Sequence, residues 1–174
     1  MIIYPNAKLG MKNFYVFICK KGVFMNKRQS CRAVVFIDNK LVTMKRVKEG
    51  RLYYTFAGGG LESNETHSAC VIRECEEEFG IQVEPIRHLY TYENDKTIQY
   101  FYLCKYLSGE FGSGVGEEFM EDRNKGEYEP TLMSIEDIQS LPLMPPEIAK
   151  AVAEDGKDFY NHYEKETRVF VVEN

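Results

Sequence analysis

Hydrophobic and polar positions along the chain change period three times. Residues 31–37 are β-branched and apolar, Asp38 and Asn39 follow, and residues 41–44 are apolar again. Two such runs about a short Asp-Asn turn predict a β-hairpin. Residues 45–51 read as a charged connection containing Gly50, and residues 53–56 as another short strand stopped by Ala57-Gly58-Gly59-Gly60. From 66 to 79 the period becomes helical, closed by Gly80 in the usual C-terminal position. Residues 81–92 and 97–107 return to strand, the second carrying Tyr100, Phe101 and Tyr102.

Residues 108–127 differ in kind, with five glycines and almost no apolar periodicity. A connection of that length is uncommon in a compact domain and is usually functional or disordered. Beyond it, 129–133 reads as a strand and 134–140 as a short helix. Pro145 and Pro146 then open a helix through Glu154, and 168–172 is a candidate edge strand.

Composition narrows the field. The 174 residues fit one domain, and 44% hydrophobic residues supply a core. A net charge of −5 argues against duplex nucleic acid, which needs a basic footprint. Five cysteines, an odd number without a Cys-x-x-Cys pair, argue against a disulfide framework or thiolate zinc site. The apolar run at 14–19 is too short to cross a bilayer, and Lys20-Lys21 make a poor cleavage site. The expectation is a cytoplasmic protein without membrane contact. Met25-Asn26-Lys27-Arg28 looks like a second start, so residues 1–26 read as an N-terminal extension.

The chemistry concentrates between Gly58 and Ile81. On a helix at ~100° per residue, Ile72, Cys75 and Phe79 share one side with Val71 at its edge. Glu74, Glu77 and Glu78 share the other, at spacing i, i+3, i+4. Carboxylates so placed repel one another. Oxygen-only ligands grouped in this way suit a hard divalent cation, Mg²⁺ or Mn²⁺. Arg73 can pair with Glu77 or reach back towards Glu65. Gly58, Gly59 and Gly60 let backbone approach a ligand closely and feed a helix whose N-terminus favours an anion. Phosphate beside metal is the equipment for metal-assisted phosphoryl hydrolysis.

These residues resemble a known family. Gly59, five residues, Glu65, seven residues, then Arg73-Glu74-Cys75-Glu76-Glu77-Glu78-Phe79-Gly80-Ile81 is similar to the Nudix box of the MutT-like hydrolases, with all seven invariant letters in place. A chance match is on the order of one in a billion per starting position. Cys75 stands where an aliphatic residue is usual, and Ala57 where proline often precedes the glycines. The resemblance implies the Nudix fold, an α/β/α sandwich around a mixed β-sheet, over residues 27–155, with 156–174 as a tail. It implies that Glu74, Glu77 and Glu78 hold the metal, with the Gly58 carbonyl as a further ligand, and that Glu65 and Arg73 orient the helix. The implied reaction is attack of water on a nucleoside diphosphate linked to another group. Its base is Glu74, Glu77 or a glutamate of the long loop, Glu117 or Glu118, with Glu118 slightly favoured.

Other residues divide between bland and functional readings. Lys45, Arg46 and Arg51 either reach phosphate or simply solubilise. Tyr53, Tyr54 and Phe56 offer one strand face at most to a base. Tyr90, Tyr92, Tyr100 and Tyr102 read as sheet packing, and His67, His88 and His162 as surface histidines. Thr97 stands where ADP-ribose pyrophosphatases tend to have a proline, and Tyr100 lies near a tyrosine typical of dinucleoside polyphosphate hydrolases; an oxidised-nucleotide cleaner stays open. The expected partner is a small nucleotide-type diphosphate. The tail at 159–172 offers a homodimer contact or an edge strand. The competing function is a non-catalytic Nudix ligand sensor, and a weaker third is a prenyl diphosphate isomerase.

Overall fold

The computed structural model describes residues 27–115, 126–156 and 166–172. Strand β1 (Arg28–Ile37) turns through Asp38-Asn39 into β2 (Lys40–Lys48), and β3 (Arg51–Phe56) follows. Asp38 and Asn39 both take positive φ, 49° and 61°, the geometry of a tight two-residue hairpin. Helix α1 (His67–Phe79) precedes the long antiparallel pair β4 (Ile81–Glu93) and β5 (Thr97–Gly109). Then come β6 (Glu127–Met133), α2 (Ile135–Ile138), β7 (Leu143–Met144), α3 (Pro146–Asp155) and β8 (Arg168–Val171).

The described strands form one mixed sheet in the order β7-β3-β2-β1-β5-β4-β8, with β6 pairing with β2. β1 runs parallel to β5, while β2 is antiparallel to both β3 and β6. Two helical layers cover it. Cys70, Val71, Cys75 and Phe79 of α1 pack with Ala33, Val35, Val42, Met44 and Cys104 on one face. Ile148, Ala149 and Val152 of α3 pack with Val34, Leu41, Phe56, Phe101 and Leu103 on the other. This is the expected α/β/α sandwich.

β1 and β2 are paired only beside their turn, at Phe36–Leu41 and Ile37–Lys40. Beyond that point they diverge, and the chain leaving β3 enters the fork. It bridges to β1 at Ala33–Ala57 and Ser30–Gly60, with Cys31 N–H donating to the Gly59 carbonyl at 3.0 Å. The glycine turn is thereby fixed between the half-sheets and against the first turns of α1.

Three expectations change. Residues 45–48 are not a connection but the end of β2, because Lys45 pairs with Glu129 at 2.6 Å and Arg46 lies over the Tyr128 ring at 3.7 Å. Cross-strand partners thus turn a charged run into strand; only Glu49 and Gly50, both at positive φ, make the turn. The buried stripe of α1 includes Cys70 and Val71, whereas Ile72 is 39% exposed. The histidines at 67 and 88 are half-buried in ring stacks rather than free on the surface. His67 stacks on Tyr100 at 4.1 Å, His88 stacks on Tyr102 at 5.0 Å, and burial pushes both imidazoles down. His162 lies outside the described residues. Tyr90 and Tyr92 are buried, as sheet packing requires.

Candidate active site

Helix α1 begins at Thr66, whose hydroxyl accepts from Ala69 N–H at 3.2 Å, and ends at Gly80 in the left-handed conformation, φ 69°. Between these caps the side chain of Arg73 gathers the acidic residues. Its Nε and Nη2 donate to the two carboxylate oxygens of Glu65 at 2.8 and 3.0 Å. Its Nη1 donates to Glu74 at 2.9 Å and to Glu77 at 3.1 Å. Nη2 also reaches the Gly60 carbonyl at 3.2 Å. Arg73 therefore makes both of the pairings the sequence allowed, and adds Glu74.

The carboxylates differ in environment. Hydrogen bonding from Arg73 holds the Glu65 carboxyl down at about 2, despite opposing burial. Glu74 moves the other way: burial pushes its carboxyl up, and Arg73 only partly opposes this. Glu77 projects outward, with its side chain 52% exposed. Glu78 is buried, and one of its oxygens accepts from Gly58 N–H at 3.3 Å.

Two of the glycines are needed where they stand. A Cβ on Gly59 would lie 2.5 Å from the carboxylate atoms of Glu74, so only a hydrogen leaves room for that side chain. Gly58 has φ 124°, and its Cβ would fall on the Cys31 carbonyl. Gly60 meets nothing closer than 3.6 Å. The Gly58 amide is used by Glu78, and the Gly58 carbonyl accepts from Arg32. The close approach these glycines permit is thus to the chain's own groups.

The donor chemistry fits a hard divalent cation. Glu74 and Glu77 converge on one cationic nitrogen, Arg73 Nη1, one helical turn apart. Among the described residues, no three acidic, histidine or cysteine side chains close on a single point. Mg²⁺ does not require that, since one or two carboxylates with water and substrate oxygens satisfy it. Glu117 and Glu118 lie outside the described residues.

Arg32 and Tyr128 were not singled out from sequence. The signal for Arg32 was present: a lone arginine inside the apolar run of β1 must place its charge against something. Its Nη1 donates to the carbonyls of Gly58 and, at 3.3 Å, Phe56. Arg46 lies over the Tyr128 ring and 5.7 Å from that of Tyr53, while Tyr54 and Phe56 face inward. Arg51 is exposed. No helix among the described residues is long and apolar enough to cross a membrane.

Comparison with known proteins agrees with this architecture. A NUDIX hydrolase from Nitrosomonas europaea superposes with a TM-score of 0.67 at 18% identity, covering 87% of this chain and 82% of that one. An ADP-ribose pyrophosphatase from Streptococcus suis gives 0.58 at 23% identity, over 82% and 98%. A MutT protein from Methanosarcina mazei gives 0.57 at 15% identity, over 80% and 100%. No curated protein matches. The family model described as the NUDIX domain matches residues 27–155, about three quarters of the chain, and the chain therefore belongs to the Nudix hydrolase family.

Proposed function

We propose that the protein is a divalent-metal-dependent pyrophosphohydrolase acting on a nucleoside diphosphate linked to another group. One observation carries the reading: Glu74 lies in the space left by Gly59 and shares Arg73 Nη1 with Glu77, so one arginine holds two carboxylates together beside the glycine turn. Glu74, Glu77 and Glu78 would hold the ion, Mg²⁺ or Mn²⁺, with Gly58 supplying its carbonyl. When bound, it would neutralise the diphosphate and acidify the attacking water.

The chain's own groups do the rest. Glu65 fixes Arg73, and Arg73 fixes the directions of Glu74 and Glu77. The proton released by water goes to a carboxylate, with Glu74 and Glu77 the described candidates and Glu118 the loop candidate. Arg46, held between Tyr53 and Tyr128, offers positive charge on the same sheet for a polyanionic substrate. Thr97, at the start of β5 rather than a proline, speaks against ADP-ribose as that substrate. The absence of a basic footprint in the −5 chain favours a small nucleotide over duplex nucleic acid. The buried thiols at 31, 70, 75 and 104 support a cytoplasmic location.

The test is release of phosphate or nucleoside monophosphate from a panel of nucleotides with and without Mg²⁺. Turnover that needs the metal and is lost in Glu77→Gln supports the reading. Binding of nucleotide without turnover of any panel member would replace it with the sensor function.

A further inference from the structure

The box motif accounts for one arginine at the cradle, and the structure places a second there. Arg32 comes from β1, at the fork where β1 and β2 diverge and the glycine turn enters. Its Nη1 donates to the carbonyl of Gly58, while Glu78 accepts from the N–H of the same residue at 3.3 Å. Gly58 is thus gripped on both sides, by a cation on the carbonyl and an anion on the amide. Two guanidiniums thus reach the glycine turn from different elements of the fold, Arg73 at the Gly60 carbonyl and Arg32 at that of Gly58.

Such a group has a consequence for any incoming cation. A divalent ion beside Glu74 and the Gly58 carbonyl would meet the Arg32 charge at close range and compete for that oxygen. We propose that Arg32 is a positioning residue serving as the cradle's resident counter-cation: it holds the Gly58 carbonyl in the metal-free protein, gives up that carbonyl when a divalent ion binds, and then turns its guanidinium to an oxygen of the diphosphate. This rests on the cradle being a divalent-cation site. It makes metal and substrate binding linked through one side chain, with the metal opposed and the diphosphate favoured by the same charge.

The experiment compares wild type, Arg32→Gln and Arg32→Lys as full chains. It reads Mn²⁺ affinity from the electron paramagnetic resonance of unbound Mn²⁺, melting temperature in chelator, and KM and kcat on the best substrate of the nucleotide panel. Arg32→Gln is expected to melt lower in chelator yet bind Mn²⁺ about five- to tenfold more tightly. Its KM should rise about tenfold while kcat changes less than about threefold. Damage to the fold would weaken Mn²⁺ binding, so tighter binding is the sign that separates the two. Wild-type or weaker Mn²⁺ affinity in Arg32→Gln overturns the counter-cation role, and an unchanged KM overturns the contact with diphosphate. Arg32→Lys keeps the charge but lacks the planar fork. If the glutamine variant does not fold, the lysine variant should still bind Mn²⁺ at least about twofold more tightly, and equal affinity overturns the proposal. Wild type that binds no Mn²⁺ would instead refute the cradle itself, before any variant is compared.

Discussion

Arg73 meets Glu65 through two parallel hydrogen bonds, 2.8 and 3.0 Å long, across the loop that joins the glycine turn to α1. Both side chains are largely shielded, 25% and 12% exposed, so this fork is not a solvated surface pair. Glu65→Gln removes the charge and leaves one oxygen, a loss of about 1–3 kcal/mol in unfolding free energy. It also slackens the arginine that directs Glu74 and Glu77. Denaturant unfolding and metal-dependent turnover should therefore fall together. A variant with wild-type stability and turnover would show that the fork positions nothing.

The same pair sets the acid limb of stability. The folded Glu65 carboxyl titrates at about 2, below its ordinary 4.5, so between those values the unfolded chain binds more protons. The contribution is complete above about 4.5 and lost as pH falls towards 2. Glu74 has the opposite sign: burial raises its folded value, so its contribution weakens as pH climbs above 4.5. In chelator, Glu65→Gln should flatten the limb below 4.5, and Glu74→Gln the decline above it. Chemical denaturation across pH 2–7 would reveal both, and identical curves for wild type and Glu65→Gln would contradict the assignment.

The three glycines should respond to alanine in a graded way. Gly60 has space, so Gly60→Ala should change neither fold nor turnover. Gly59→Ala displaces the end of a flexible side chain, Glu74, so the fold should survive while metal-dependent turnover is largely lost. Gly58→Ala strains a φ of 124° and presses on backbone at Cys31, so it should cost more than about 1 kcal/mol of stability. Melting temperature and turnover measured on all three separate these outcomes. Equal damage at Gly59 and Gly60 would mean that contact with Glu74 is not what requires glycine.

What was legible in the chain was what spacing alone determines. Thr66, the 3.6-residue period and Gly80 bounded α1, and the distances from Glu65 and Glu77 to Arg73 allowed both ion pairs that form. What escaped depends on partners distant in sequence. Residues 45–48 are strand because Tyr128 and Glu129 face them. Glu78 turns inward because Cys70, Val71, Cys75 and Phe79 bury its side of α1 against the sheet, where the Gly58 amide meets it. Arg32 joins the site only because the sheet forks beside it, and no periodicity within β1 reports that.

β8 joins the tail to the domain through one polar knot. It pairs in parallel with β4, and Arg168 reaches both Asp155, at the end of α3, and the Tyr90 hydroxyl, at 3.3 Å. Tyr90, 1% exposed, donates to Asp155 at 2.8 Å, so its hydroxyl links the strand on one side of the sheet edge to the helix on the other. Tyr90→Phe removes that donor without changing the ring packing and should cost about 1 kcal/mol. Arg168→Ala removes the cation that reaches Asp155 and loosens β8 from α3; with the arginine side chain 42% exposed, the loss should also be about 1 kcal/mol. The double variant should lose less than the sum of the two, because they share Asp155. Neither residue lies at the glycine turn or α1, so Mg²⁺-dependent KM and kcat below the melting transition should stay at wild-type values. Additive stability losses would sink the shared knot, and a changed KM would mean that the β8 edge reaches the substrate.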